Sequence, residues 1–386
     1  MGDPAKVLHL IHSLDPSLGG MSEGLKQICA AHDRLGHECE VATMDAPGSA
    51  WLKEFPAEVR CFGPLKTNYG YTPDLVPWIR DQVRRYDAAV VHGLWQFHGL
   101  ATHRAMSNSQ VPYYVFPHGM LDPWFKRANP LKHIKKAAYW RLIERHVLSS
   151  ARGVLFTTDD EARVAPLTFP RSRWRGINVG FGIDPPSNLH PRQITSFIER
   201  FPECRGKRLV LFLSRIHAKK GCDLLIDAFA GAALRDQDLH LVVAGPDEAG
   251  LRPQLEAQAR ILGISSRITW TGMLHGDQKW GALQAAEVFA LFSHQENFGV
   301  AVVEALAIGL PVLITHAINI SGAIASQGAG FVDDDTRSGT TRLIHRWLDT
   351  TGIERKSMGE RATACFKSLY HSDAATARLV SEISAR

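Results

Sequence analysis

Residues 293–313 read SHQENFGVAVVEALAIGLPVL. Ser293 closes VFALFS, an apolar run of strand length. The apolar residues from Val300 to Ile308 continue as a helix that Gly309 stops, and PVLIT opens the next strand. A helix between two such runs is the crossover that parallel strands require. Asn297, Phe298 and Gly299 stand at the helix start, where unpaired amide groups can donate to phosphate or sugar oxygens. Glu296 precedes that start, and Glu304 shares a helix face with Val300. A surface glutamate followed by a helical one is the plain alternative, and a fuller pattern around the segment weighs against it.

The same alternation extends upstream. RLVLFLS, a helix from about Asp223 to Leu234, LHLVVAG, a helix after Gly250, RITWTG and a helix to Ala286 lead into the segment. An earlier series runs VLHLIH, a helix from about Ser22 to Leu35, ECEVAT, AAVVHG, PYYVF and GVLFTT. Short apolar runs separated by helix-length segments predict parallel sheets covered on both faces. Pro185 to Arg208 interrupts the series with Pro186, Pro191 and Pro202 and reads as a linker. The expected class is therefore α/β, with two Rossmann-like domains facing across a cleft at the carboxyl ends of their strands. The expected bounds are 1–190, 191–365 and a C-terminal helix, 366–386, that crosses back to the first domain.

At 386 residues the chain exceeds what one core usually serves. Its 45% apolar and 22% charged residues are those of a globular protein. MGDPAKVLHLIHSL has too short an apolar stretch for a signal peptide, and no run approaches a membrane span. Cysteines 29, 39, 61, 204, 222 and 365 form no Cys-x-x-Cys pair and no zinc ladder, so reduced thiols in a cytoplasmic protein are expected. A net charge of +5 is too modest to indicate nucleic acid; polyphosphorylated ligands or an anionic membrane face suit it better.

The segment 293–313 resembles the Glu-x7-Glu motif of the large family of retaining GT-B glycosyltransferases that includes bacterial mannosyltransferases and sucrose synthases. The resemblance implies that Glu296 faces the donor sugar and Glu304 holds the ribose hydroxyls. It also implies that Arg215 and Lys220, after the first strand of the second half, grip the donor diphosphate. Charge gathers there as the glycosidic bond breaks, and preorganised donors stabilise it. A solvated basic turn is the alternative for these two residues taken alone. Gly245, Met273 and Leu274 fall at the nucleotide in the same family, although ordinary strand-end turns explain them equally well.

In the first half, Gly19 and Gly20 close the first strand and open a helix, where backbone can approach a phosphate or acceptor closely. The family has the same pair there; a plain tight turn is the alternative. His118 ends a strand between Pro117 and Gly119, and the family has a catalytic-pocket histidine at this place, near the donor sugar's primary hydroxyl. A satisfied structural histidine is the other reading. His92 and Trp95 end another strand and are assigned to the acceptor side, with Trp95 alternatively in the core. Asp333-Asp334-Asp335 contains an Asp-x-Asp spelling but precedes a helix, so capping is expected and no metal or cofactor is. The segment from Trp124 to Arg152 is basic and amphipathic, which suits peripheral contact with an anionic membrane or a lipid-diphosphate acceptor, or simply a solvated helix face.

The resemblance runs from Gly19 to about Gly330. Two departures bear on hinge geometry: Ser214 stands where the family often has glycine, and residues 178–184, NVGFGID, replace a shorter Asn-Gly-Val-Asp turn. The implied activity is metal-independent, retaining transfer of a hexose-type sugar from a UDP- or GDP-sugar to a saccharide or lipid-linked acceptor in polysaccharide or glycoconjugate biosynthesis. Its rivals are a nucleotide-sugar epimerase of the same architecture and a non-catalytic sugar-nucleotide-binding protein. The base, the sugar and the acceptor are read by loop backbone and pocket shape, which the motifs do not spell.

Overall fold

A computed structural model describes residues 4–18, 20–64, 67–123, 130–186 and 188–385. Its contacts divide the chain into two units, Met1–Gly182 with His371–Arg386, and Ile183–Tyr370. Both are open parallel sheets flanked by helices. The first contains β1 (Lys6–Ile11), β2 (Glu38–Thr43), β3 (Glu58–Cys61), β4 (Ala88–His92), β5 (Tyr113–Phe116), β6 (Gly153–Phe156) and β7 (Gly176–Asn178). Their order is β3-β2-β1-β4-β5-β6-β7. The second contains β8 (Arg208–Leu213), β9 (Leu239–Ala244), β10 (Ile268–Gly272), β11 (Val288–Leu291), β12 (Val312–Thr315) and β13 (Gly330–Asp333). Their order is β10-β9-β8-β11-β12-β13.

Central strands such as β4, β5, β9 and β11 are buried at every position, which is why they read as unbroken apolar runs. Edge strands β3 and β7 are short and largely open, and their sequences EVRC and GIN carry no such signal. In each sheet the strand order reverses once, between β1 and β4 and between β8 and β11. Loops leaving the carboxyl ends of such a pair diverge to opposite faces and leave a crevice.

Two expectations need correction. The unit boundaries fall after residues 182 and 370, where 190 and 365 were read from sequence. The stretch taken as a linker contains the helix Pro191–Arg200. Its prolines misled because Pro191 occupies the first helical turn, where a missing N–H costs nothing, and Pro202 starts a separate short turn. His190 caps the helix by accepting from the Arg192 amide, and Gln193 answers by accepting from the His190 amide. The helix packs on Gly276–Ala285 through the buried Phe197 and through Gln193, which donates to Asp277 at 2.9 Å and accepts from Gln284 at 2.7 Å.

The chain re-enters the first unit at His371, and the helix Ser372–Ser384 lies on Gly20–Arg34. Arg34 fixes its start by donating to Asp373 at 2.6 Å and to Ser372 at 2.7 Å. Among the described residues no helix is long and apolar enough to cross a membrane.

The contact between Pro191–Arg200 and Gly276–Ala285 depends on Gly281, where an added Cβ would run into the Gln193 carbonyl oxygen. Gly281→Ala should therefore destabilise the protein by about 1–3 kcal/mol through overpacking, instead of giving the gain that alanine usually brings to a helix. Urea unfolding checks this; a midpoint at or above that of the wild type contradicts the packing.

Candidate active site

The reversal between β8 and β11 brings the segments after Leu213 and Leu291 together. A cavity of about 380 Å³ opens there, and Arg215, Gly245, Met273, Leu274, Glu296, Gly299, Val300 and Glu304 all line it. The family motif, spread over residues 215–304, thus converges on one concavity. Two glycines make the convergence possible. Gly221, at φ +62°, lies against the Phe292 carbonyl, and Gly245, at φ +150°, lies against that of Ser214; a Cβ on either would collide with those oxygens.

Lys220 is the most constrained charge of the site. Only 6% exposed, it gives its ammonium to the Glu296 carboxylate. Burial, then repulsion from Lys219 and Arg215, pushes the Lys220 ammonium down to about 8, while contact with Glu296 works in the opposite sense. The ammonium form therefore prevails at neutral pH. Glu296 is itself held by backbone: its amide donates to the Ala317 carbonyl at 3.0 Å, and its carbonyl accepts from Asn319 at 3.1 Å. Arg215 meets Glu248 at 3.0 Å, but both side chains are more than half exposed, so the pair adds little stability and the guanidinium is free to exchange partners.

Glu304 accepts from Lys279 at 2.7 Å. Lys279 lines the same cavity and was missed from sequence, because a lone lysine on a helix carries no motif. The loop Ala317–Asn319 was missed as well, since its role lies in backbone groups. Asn297 and Phe298 do not line the cavity. The Asn297 side chain accepts from Asn319 at 3.2 Å, and Phe298 is buried with its ring 5.7 Å from that of Tyr370. In the helix Val300–Ala307, which follows Gly299, the Val302 and Val303 amides donate to the Gly299 carbonyl at 2.9 and 3.2 Å, and Val300 and Ala301 line the cavity. Asp333 is occupied by Arg342, at 2.5 and 2.9 Å, and Asp335 by His294, at 2.8 Å. The cap of the following helix is Thr336, not an aspartate of this run.

In the first unit, His118 follows β5 with φ +50°, a left-handed conformation that residues with a Cβ adopt only under tertiary constraint. The constraint is Glu161, whose carboxylate accepts from the Gly119 amide at 2.7 Å and from Thr157 at 2.7 Å. Burial lowers the His118 imidazolium to about 3, so the ring is neutral. His92 is fully buried and cannot touch an acceptor, which corrects its assignment. Trp95, at φ +73°, packs tilted against Phe169 at 5.4 Å between ring centres, lies under Lys136 at 4.8 Å and donates its amide to the buried Glu144 at 3.3 Å. Burial raises Glu144 to about 8.

Gly20 opens the helix Gly20–Arg34 with room for a Cβ, so no crowding within this unit demands glycine; Gly19 lies outside the described residues. Beside that helix start is a cavity of about 350 Å³ with Lys26, Trp51, Lys53 and Phe55 on its walls, none of them legible as a motif. Of the basic segment, residues 124–129 lie outside the described residues; the remainder is the helix Pro130–Tyr139, a π turn at Trp140–Glu144 and the helix Arg145–Ser150.

Residues 194–364 match the family described as glycosyl transferases group 1, and residues 19–177 match the glycosyl transferase 4-like domain. The chain matches glycosyltransferase families over most of its length, as two separate domains. It is 25% identical to D-rhamnosyltransferase WbpZ of Pseudomonas aeruginosa over 95% of its own length and 92% of the relative's. It is 24% identical to the GDP-mannose:cellobiosyl-diphosphopolyprenol alpha-mannosyltransferase of Xanthomonas campestris, covering 80% and 78%. Its fold is GT-B: HepE of Anabaena, solved with UDP and glucose, aligns with a TM-score of 0.72 at 18% identity over 99% of this chain and 100% of that one. WaaG, a glycosyltransferase involved in lipopolysaccharide biosynthesis, aligns with a TM-score of 0.66 at 18% identity over 98% and 100%.

If Lys220 supplies charge to a bound diphosphate, affinity depends on its ammonium form. Because its pKa is depressed to about 8, that charge is present below 8 and lost as pH rises through it, well before an ordinary lysine titrates. Affinity for a nucleoside diphosphate should be flat from pH 6.5 to 7.5 and then weaken about tenfold per pH unit, and Lys220→Arg should remove the dependence. Calorimetric titration across this range checks it; an unchanged Kd at pH 9 removes Lys220 from the anion site.

Proposed function

We propose that this glycosyltransferase moves a hexose-type sugar of the mannose series from a nucleotide-diphosphate donor to a saccharide or lipid-linked acceptor, with retention of anomeric configuration and without a metal. The observation that carries the reading is the pair of buried Lys220 with Glu296, whose partly open carboxylate lines the same cavity as Arg215 and Glu304. A diphosphate entering beside Arg215 offers Lys220 a second anion and frees Glu296 toward the sugar. The name of the Xanthomonas campestris relative, a GDP-mannose-dependent mannosyltransferase, supports a GDP-linked donor, and that of the D-rhamnosyltransferase adds a second sugar of the mannose series.

In the proposed step the bond from the anomeric carbon to the diphosphate oxygen breaks, and the acceptor hydroxyl oxygen bonds to the same face of that carbon. The hydroxyl proton passes to the departing phosphate oxygen. Arg215, Lys220 and the Val300 and Ala301 amides would neutralise the charge that gathers there, the part a divalent cation plays in other transferases. His118, neutral and held at the end of β5, would contact the sugar. On the acceptor side, Trp51 and Phe55 offer apolar faces for a sugar ring, with Glu23, Lys26, Lys53 and Glu54 for its hydroxyl groups. The basic segment around Lys135 and Lys136 would draw a lipid-linked acceptor or the anionic surface that holds it.

Incubation with UDP- and GDP-sugars and a saccharide acceptor, followed by NMR of the product, tests this reading. The anomeric configuration of the donor should persist, and activity should survive EDTA. Arg215→Ala should lower kcat by about two to three orders of magnitude, as loss of a preorganised oxyanion donor does. Inversion, a requirement for Mg²⁺ or Mn²⁺, or near-normal turnover by the variant would each contradict it.

A further inference from the structure

Three imidazoles run in a line through the core of the first unit. His9 lies within β1, His92 ends β4 and His118 follows β5, three neighbouring strands. His9 Nδ1 is 2.9 Å from His92 Nε2, and His92 Nδ1 is 2.9 Å from His118 Nε2. His9 and His92 are fully buried, whereas His118 is partly open.

A neutral imidazole has one N–H and one lone-pair nitrogen, so a single choice propagates along the line. With every ring protonated at Nδ1, His9 donates to His92, His92 donates to His118, and the outer N–H is that of His118 Nδ1. With every ring protonated at Nε2, both bonds reverse and the last N–H points inward from His9 Nε2. That nitrogen is buried and has no partner. A buried N–H without an acceptor is the rarer kind of orphan, because it gives up its bond to water for nothing.

The adjacent ring resolves the same conflict the same way. His98 Nε2 sits 2.8 Å from the His92 carbonyl, which can only accept, so His98 carries its proton there. Its Nδ1, a lone pair, is the nitrogen left buried without a partner. Elsewhere in the unit the Trp95 indole N–H and one N–H of His32 stay unpaired at that cost; along this line the Nδ1–H order avoids it.

We infer that His9 and His92 are positioning residues that hold His118 in the Nδ1–H tautomer, making it a fixed neutral donor. The consequence for transfer rests on the reading that His118 faces the sugar. Without a lone pair at Nδ1, His118 takes no proton at that atom; it donates to a sugar oxygen and disfavours a donor lacking that oxygen.

The test uses the full chain labelled with ¹⁵N-histidine. Long-range proton–nitrogen correlation distinguishes the two neutral tautomers, and single substitutions assign the signals. His92 and His118 should both show the Nδ1–H pattern; an Nε2–H pattern at His118 overturns the inference. His9→Asn, whose amide N–H stands where Nδ1–H stood, should keep that pattern and kcat. His9→Leu should leave His118 in mixed tautomers and lower kcat about 10- to 100-fold, with nucleotide Kd unchanged. A leucine variant with wild-type tautomer and kcat also overturns it, and if that variant fails to fold, the wild-type spectrum and the asparagine variant still decide. Absence of sugar transfer with an Nδ1–H spectrum would count against the proposed reaction alone, and active enzyme with Nε2–H at His118 would count against this inference alone.

Discussion

Within each sheet all strands run in one direction, so every strand delivers its following loop to the same edge. A parallel sheet needs helical crossovers to achieve this, and they bury both of its faces. The two consequences shape the rest of the molecule. Chemistry collects at one edge, and any polar group within a strand must find its partner inside the core.

In the second unit the first consequence dominates. Segments after β8, β9, β10 and β11 meet at one cavity, and Gly221 and Gly245 allow their backbones to approach. The charges there are arranged in pairs: Lys220 with Glu296, Lys279 with Glu304, Arg215 with Glu248. Burial makes the first pair obligatory, since an unpartnered ammonium in that position would cost several kcal/mol. Exposure makes the third dispensable. A site that admits a diphosphate needs both kinds, one to hold the geometry and one to yield.

In the first unit the second consequence dominates. Histidines at positions 9, 92 and 98 are polar residues in apolar strands or against them, and they pair with each other or with backbone. Desolvation lowers all of them, which keeps the group neutral and lets it pack. His118 gains its orientation from this core and its backbone conformation from Glu161.

The sequence by itself determined the class of each sheet, because strands buried on both faces must be continuously apolar, and it marked the strand ends where Arg215, Lys220, Glu296 and Glu304 stand. Glycines and charges at strand ends are local signals, readable from neighbours in the chain. It misplaced the unit boundary, because Pro191 starts a helix as readily as it ends one, and that choice was settled by the packing of Gln193 and Phe197 on Gly281. It sent His92 to the surface, because a histidine after a valine run reads as a strand end, and only the pairing of β1, β4 and β5 encloses it. Lys279, Glu161 and the Ala317–Asn319 backbone were invisible for the same reason. Their partners, Glu304, Gly119 and Glu296, are distant in sequence, and only the tertiary structure decides which distant groups share one dielectric environment.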